Sequence, residues 1–185
     1  MRQGWPNHLT TEYSRLYKRG KDISLDSMQK ISKAFENILF CGQMGDPIYH
    51  PQFHQILEIC KDNNVQVSTA GQGKSIDWWE EALFISRNVH WTFGLDGLPH
   101  QSCQYRIGQD GEKVFEVMKR LSELGASVEW QYIVFKYNQD SIDEARSLAK
   151  DHNIHFTLVE SSRWDYPYDK YKPDKHYKDR PEMHW

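Results

Sequence analysis

The sequence lacks several features that define large classes of proteins. No run of apolar residues approaches the about 20 that a transmembrane helix needs. The amino terminus, Met1 to Pro6, also lacks the apolar core of a secretion signal. The formal net charge is −3, which argues against a general nucleic-acid-binding protein. We therefore expect a cytoplasmic protein without a membrane partner, and a nucleic-acid partner is not indicated.

Cysteine is scarce as well. The three cysteines, Cys41, Cys60 and Cys103, are odd in number and far apart, and none forms a C-x-x-C pair. This pattern argues against a disulfide framework and against a locally encoded zinc or iron–sulfur site, and a reducing compartment is the default. His50 and His54 would bring the ligands around Cys41 to three, one fewer than a closed zinc site needs. We therefore predict no metal site.

Short apolar runs alternate with amphipathic segments along residues 24–160. Strict alternation of strands and helices over short connections predicts right-handed crossovers and a parallel sheet. Five strands are too few to close an eight-stranded barrel, so we predict an α/β fold with an open curved sheet. The predicted strands are 38–41, 65–69, 89–93, 127–135 and 154–159. The first helix is predicted over 25–35 with Ser24 as its cap, Pro51 suits the first position of the second helix, and Asp140 or Ser141 can cap the last helix.

Composition changes on both sides of this unit. Residues 1–23 are polar and aromatic without a clear period, which predicts an irregular amino-terminal arm. Residues 161–185 interleave aromatic side chains with both signs of charge and contain almost no aliphatic ones, so they cannot form a core of their own. Aromatic and basic residues together can stack nucleobases, but the interspersed acids would repel a phosphate backbone. We expect a docked or disordered tail.

The stretch from Ile38 to Pro47 is the most informative part of the chain. A buried strand leads into a loop that contains Gly42, Gly45 and Asp46. Ligands of parallel sheets bind at the carboxyl ends of the strands, and glycines let a ligand approach the main chain. Asp46 adds an acceptor that suits a cation such as an ammonium group. The same residues would also form an ordinary tight turn, so both interpretations stay open at this point.

Three of the strands end in glycine-containing loops, and the ordered set of motifs carries a resemblance. The stretches F-C-G-Q-M-G-D-P-I-Y-H-P, V-S-T-A-G and F-G-L-D-G, with Arg106 downstream, resemble the radical S-adenosylmethionine (radical SAM) enzymes. Those commonly show G-G-E-P or G-x-G-E-P before an apolar pair and His-Pro, then T-N-G, then S-I-D-G. The resemblance covers residues 24–159 and implies a partial (βα) barrel of about five parallel strands.

The resemblance also implies a binding site for S-adenosylmethionine. Gly45 and Asp46 match the Gly-Glu pair that holds the amino group of the cofactor, and Asp shortens the reach by one methylene. Ala70 stands where the family usually has Asn. Without the family, Thr92 would be read as a buried strand threonine and Asp96 as part of a plain turn. The further cofactor-binding residues that the resemblance implies are Gly42, Ser68, Thr69, Gly71, Thr92, Asp96, Gln131 and Asn138.

One departure from the family limits the implied activity. Its [4Fe–4S] cluster is held by a C-x3-C-x2-C triplet after the first barrel strand, and this sequence contains no such triplet. The three cysteines present do not have a spacing that could replace it. We therefore expect a fragment or a degenerate member of an iron–sulfur enzyme family. It would begin just downstream of the family's cysteine triplet, and as written it should not perform radical chemistry. No catalytic residue, substrate or reaction is assigned.

Two other functions stay open on the sequence alone. The first is a non-enzymatic binding or interaction module built on the leftover barrel. The second is an unrelated barrel enzyme, which would need a Schiff-base lysine or catalytic carboxylates at strand ends, and only Lys136 comes near such a position. Because the first strand of the family is absent, strand 38–41 should be a sheet edge, covered by the arm or by a second copy in a homodimer.

Overall fold

The computed structural model describes residues 22–41, 45–161 and 169–177. In these ranges no helix is long and apolar enough to cross a membrane. Helices and strands alternate strictly, with short 3-10 turns at Pro47–Tyr49, Ser102–Gln104 and Gln139–Ser141. The helices are α1 (Leu25–Ala34), α2 (Phe53–Ile59), α3 (Ile76–Ile85), α4 (Gly111–Glu123) and α5 (Ile142–Asp151), and the strands are β1 (Asn37–Cys41), β2 (Asn64–Thr69), β3 (Val89–Gly94), β4 (Ser127–Val134) and β5 (His155–Glu160).

The strands form one sheet in the order β1-β2-β3-β4-β5, and every neighbouring pair is parallel. Consecutive parallel strands with right-handed crossovers place all their helices on the same face of the sheet. The prediction of an open parallel sheet is therefore confirmed. β1 lies at the edge of the sheet, as expected, and what covers that edge stays a prediction.

Local sequence signals explain most of the helix boundaries. The hydroxyl oxygens of Ser24 and Ser75 accept hydrogen bonds from the third residue after each of them, which begins α1 and α3. Gly125, at a φ of 84°, ends α4 in the left-handed conformation that glycine favours. Two details differ from the prediction. Helix α2 begins at Phe53 rather than Pro51, and Ser141 makes no capping bond at the start of α5.

The two faces of the sheet have opposite character. On the face toward the helices, Trp91 and Phe93 of β3 are fully buried and lie 5.2 and 5.3 Å from the ring of Trp79 in α3. The residues that alternate with them, His90 and Thr92, project to the other side, which we call the inner face. The hydrophobic core thus lies between sheet and helices, and the inner face carries polar side chains.

Residues 169–177 pack against the carboxyl end of β4. The backbone N–H of Lys136 donates to the carbonyl of Tyr171 at 2.9 Å, and the Tyr171 ring lies 6.1 Å from that of Phe135. Asp174 accepts hydrogen bonds from the side chains of Lys136 and Gln139. The described part of the carboxy-terminal tail is therefore docked on the sheet domain.

A buried asparagine fixes the connection from α1 to β1, and its removal gives a direct test of the fold. The Asn63 amide donates to the carbonyls of Ser32 and Phe35 at 2.9 and 2.7 Å. We expect Asn63→Ala to cost about 1–3 kcal/mol of unfolding free energy, because two carbonyls lose their donor. The neighbouring exposed Asn64→Ala is the control and should cost less than about 0.5 kcal/mol. Urea unfolding measures both, and equal values would contradict this role of Asn63.

Candidate functional site at the carboxyl ends of the strands

The loops after β1, β2 and β3 converge at one edge of the sheet, because parallel strands end together. Gly45 and Asp46 follow β1, Gly71 follows β2 and Asp96 follows β3. Gly42 was also predicted to bind the cofactor and lies outside the described residues. The structure thus brings the described members of the first three predicted loops to a common edge.

Asp46 ties the end of β1 to the end of β2. Its Oδ2 accepts hydrogen bonds from the Thr69 hydroxyl at 2.8 Å and from the Ala70 N–H at 2.7 Å. Its Oδ1 accepts from the Ile48 N–H at 3.3 Å and so caps the 3-10 turn. All three donors are neutral, and no ion pair joins this carboxylate to a described residue. Asp46 therefore holds the loop and also keeps an uncompensated negative charge at the edge.

The glycines of this edge serve two different needs. A Cβ at Gly71, where φ is 71°, would lie 2.8 Å from the Phe93 ring, so only glycine fits between the β2 loop and the core. At Gly45, apart from its two neighbours in the chain, no described residue has a heavy atom within 4 Å of the place where a Cβ would be. Gly71 is required by packing, whereas Gly45 leaves open space beside Asp46.

Asp96 is completely buried and forms an ion pair with Arg106. The Arg106 Nε donates to Asp96 Oδ2 at 2.7 Å, and the Ile133 N–H donates to Oδ1 at 3.2 Å. Burial raises the pKa of Asp96 above its ordinary value, and the charge and hydrogen bonds of Arg106 oppose that rise. Both Asp96 oxygens are engaged, so this carboxylate positions Arg106 and the loop after β3.

The two predicted residues of β4 and its loop are in different surroundings. Asn138 is fully buried, accepts from the Phe135 N–H at 2.7 Å and donates to the Ile133 carbonyl at 3.0 Å, so its side chain holds the turn after β4. Gln131 is half-buried on the inner face, and its side chain makes no hydrogen bond to a described residue. Of the two, Gln131 is the residue whose side chain makes no hydrogen bond within the described part of the chain, whereas Asn138 is engaged by the turn.

A network of polar side chains spans the inner face, and no sequence motif indicated it. The Glu129 Oε2 accepts from Thr92 Oγ1 at 2.9 Å and lies 2.8 Å from His90 Nε2. The Gln66 amide donates to Thr92 Oγ1 at 3.2 Å, and His90 Nδ1 lies 2.7 Å from Ser127 Oγ. The available signal was polar residues at alternate positions of three successive strands, which predicts one polar face.

The network determines how Glu129 titrates. Burial by itself would raise the pKa of Glu129, but hydrogen bonds from His90, Thr157 and Thr92 outweigh it and lower the pKa to about 2. A carboxyl whose pKa is lower in the folded state stabilises the fold above its unfolded pKa. That stabilisation is lost as the pH falls through the folded value.

We therefore expect Glu129→Gln to have a pH-dependent cost. The unfolding free energy should fall by about 3 kcal/mol at pH 6, and the difference from wild type should shrink as the pH approaches 2, where Glu129 itself becomes neutral. Urea unfolding across this pH range measures the difference. The exposed Glu36→Gln is the control and should stay near wild type throughout. A cost for Glu129→Gln that does not change with pH would contradict the assignment.

The described residues do not fit an iron–sulfur cluster. Cys60 is completely buried in the core, where burial raises the pKa of its thiol, whereas Cys41 and Cys103 are exposed. In the part of the chain that the structure describes, no group of three or more His, Cys, Asp or Glu side chains could hold a metal ion. His50 is engaged with the main chain, at 3.0 Å from the Ile23 carbonyl.

Comparisons with known proteins give matches in structure only. No family model and no curated protein matches the sequence. SuiB of Streptococcus suis bound to its precursor peptide SuiA superposes with a TM-score of 0.67 at 15% identity, over 79% of this chain and 35% of SuiB. SuiB bound to S-adenosylmethionine superposes with a TM-score of 0.60 at 18% identity, over 75% of this chain and 32% of SuiB.

The structure of anSMEcpe with bound AdoMet has a TM-score of 0.61 at 13% identity, over 85% of this chain and 47% of that one. The chain thus spans between about a third and a half of these proteins. SuiB and anSMEcpe are radical SAM enzymes, and the matches cover 75% and 85% of this chain. The chain therefore has a radical SAM-like fold, a partial (βα) barrel of five parallel strands in an open sheet.

Proposed function

We propose that this chain is a radical SAM-like domain that binds S-adenosylmethionine at the carboxyl ends of its strands. The observation that carries the proposal is the Asp46 carboxylate, which three neutral donors hold in place at that edge. A fixed negative charge without a cationic partner among the described residues favours a positively charged group of a ligand. The amino group of S-adenosylmethionine has that charge.

Further features support this edge as the site. The space that a side chain at Gly45 would take is open among the described residues, and Asp46 itself is half-buried. Ser68 and Gln131 have side chains that make no hydrogen bond to a described residue and are half-buried near the same end of the sheet. Such groups suit the hydroxyl and amino acid parts of the cofactor. The structural neighbours SuiB and anSMEcpe were solved with this ligand bound.

The proposed function is binding, and no radical step is assigned to this chain. The parent reaction of the resemblance needs a [4Fe–4S] cluster, which the described residues do not fit. The second candidate is a non-enzymatic binding or interaction module on the leftover barrel, whose ligand or partner need not be S-adenosylmethionine. The inner-face network of Gln66, His90, Thr92, Ser127, Glu129 and Thr157 favours it, because such a polar surface can bind a hydrogen-bonding ligand without any chemical step.

Substitution of Asp46 tests the binding site. Calorimetric titration with S-adenosylmethionine should show a ten- to hundredfold weaker affinity for Asp46→Ala, since a hydrogen bond to a charged group contributes about 1.5–3 kcal/mol. Thr69→Val is the matched control, because it loosens the same loop and keeps the carboxylate, so its affinity should stay within about threefold of wild type. Equal losses in both variants would mean that Asp46 acts only on the loop. No binding to wild type would refute the proposed function.

Iron content separates the enzymatic parent from the binding module. After anaerobic treatment with iron and sulfide, the purified chain should hold no stoichiometric iron and should show no visible charge-transfer band, because its three thiols cannot enclose a cluster. Cys60→Ala serves as the comparison and should give the same spectrum as wild type. Stoichiometric iron that is lost in Cys60→Ala would show that the buried thiol is a ligand, against this interpretation.

A further inference from the structure

Three side chains at the amino end of the inner face form a continuous line of hydrogen bonds. His90, near the start of β3, lies opposite Ser127, the first residue of β4. His90 Nδ1 lies 2.7 Å from Ser127 Oγ, and His90 Nε2 lies 2.8 Å from Glu129 Oε2. A hydroxyl, an imidazole and a carboxylate joined in this order are the parts of a catalytic triad.

The hydrogen bonds of these three residues have a fixed direction. Burial alone would raise the pKa of Glu129, but the hydrogen bonds that it accepts lower the pKa to about 2, so near neutral pH this carboxylate only accepts. In the neutral ring, His90 Nε2 therefore carries the proton and Nδ1 keeps its lone pair. That lone pair accepts the proton of the Ser127 hydroxyl, which makes no other hydrogen bond to a described residue. Ser127 is thus linked to a base whose tautomer Glu129 sets.

The serine is accessible, and a groove lies beside it. Ser127 is exposed and is one of the residues that line an open groove of about 500 Å³. His155 of β5 lines the same groove and lies opposite Glu129 in the register. Its side chain makes no hydrogen bond to a described residue, so it offers an N–H donor to an oxygen that becomes negative during a reaction. Lys150 lines the groove as well, and no described Asp or Glu does, which favours an anionic substrate.

We propose that Ser127, His90 and Glu129 form a hydrolytic triad that cleaves a carboxylic ester bearing an anionic group. Ser127 Oγ attacks the carbonyl carbon of the ester while its proton passes to His90 Nδ1, and Glu129 stays ionised and stabilises the imidazolium. The bond from carbon to the alcohol oxygen then breaks, and the alcohol leaves with the proton from Nδ1. Water attacks the acyl-serine and gives a proton to Nδ1, and Ser127 Oγ takes that proton as the acid departs.

This reaction uses only ester and water and gives acid and alcohol, so it needs no cofactor. The triad lies at the amino ends of β3 and β4, whereas the proposed S-adenosylmethionine site lies at the carboxyl ends of the strands. The inference therefore stands or falls independently of the proposed function.

Covalent labelling tests the triad directly. A fluorophosphonate reacts with serines that a base activates, so it should label Ser127 of wild type, as located by peptide mass spectrometry. His90→Gln should slow the labelling by about a hundredfold or more, because a general base contributes roughly 10²–10⁴-fold. Ser127→Ala should abolish it. Ser27→Ala is the control and should leave it unchanged, since this exposed hydroxyl of α1 contacts Ser24 and no base.

Glu129 is a positioning residue, and its variant is read against that of His90. Glu129→Gln should slow the labelling by about tenfold or more, and the double variant should react no more slowly than His90→Gln alone, because Glu129 acts through the imidazole. Thermal unfolding checks that each variant is folded, and wild type in urea, which keeps the serine without the triad, should not be labelled. No label on Ser127, or equal rates in wild type and His90→Gln, would overturn the inference.

Ester hydrolysis tests the substrate class. The 4-nitrophenyl esters of hexanoic acid and of adipic acid have equal chain lengths, and only the second carries a carboxylate. Wild type should prefer the adipic ester by about threefold in kcat/KM, as an exposed ion pair allows. Lys150→Gln should lose that preference, and Lys30→Gln, which alters an exposed lysine of α1, should keep it. Equal values for both esters in wild type would overturn the anionic class, and hydrolysis no faster than in Ser127→Ala would overturn the triad.

Discussion

The structure depends on a geometric constraint: five parallel strands in chain order, joined by right-handed crossovers, can be covered by their helices on one face only. The apolar residues concentrate on that face, where Trp79, Trp91 and Phe93 pack together. The other face is free to carry polar groups, and it does so with His90 and Glu129. The candidate site lies where this polar face meets the carboxyl edge.

Two aspartates at this edge are used in opposite ways. Asp96 is buried and paired with a cation, so its charge serves to orient Arg106. Asp46 is held by neutral donors, so its charge remains available to a ligand. The edge therefore presents a negative group from the β1 loop and a positive group from the β3 loop. The amino group of S-adenosylmethionine, the proposed ligand, has the charge that complements Asp46.

The alternating fold could be predicted because each element has a local signal. Apolar runs mark the strands, and Ser24, Ser75 and Gly125 mark helix ends. The wrong start of α2 has a local cause as well. Pro47 begins a 3-10 turn under the cap of Asp46, and this turn ends at Tyr49, so the chain at Pro51 is still in a turn. Pro51 fits an early helical position by itself, and the sequence does not show that competition.

The site was less predictable because it depends on contacts between distant segments. Asp46 was identified as an acceptor from its motif, but its bonds to Thr69 and Ala70 join residues more than twenty positions apart. His90 and Glu129 carry no motif at all, and only the register of β3 against β4 brings them together. Asn138 looked like a ligand contact and instead completes a turn. The sequence does not show whether a polar side chain will contact a ligand or stabilise the fold of the chain itself.

The docked segment 169–177 contacts the loop after β3 from a distant part of the chain. The Tyr171 hydroxyl donates to the Gln104 carbonyl at 3.3 Å, and its ring lies 5.5 Å from that of Tyr105, the residue before Arg106. The same segment is bonded to Lys136 after β4. A ligand that binds at this loop with a different affinity when the segment is docked would be thermodynamically linked to docking, and such linkage is reciprocal. By whatever factor the docked segment changes the affinity for a ligand, the ligand changes the docking equilibrium of the segment by the same factor.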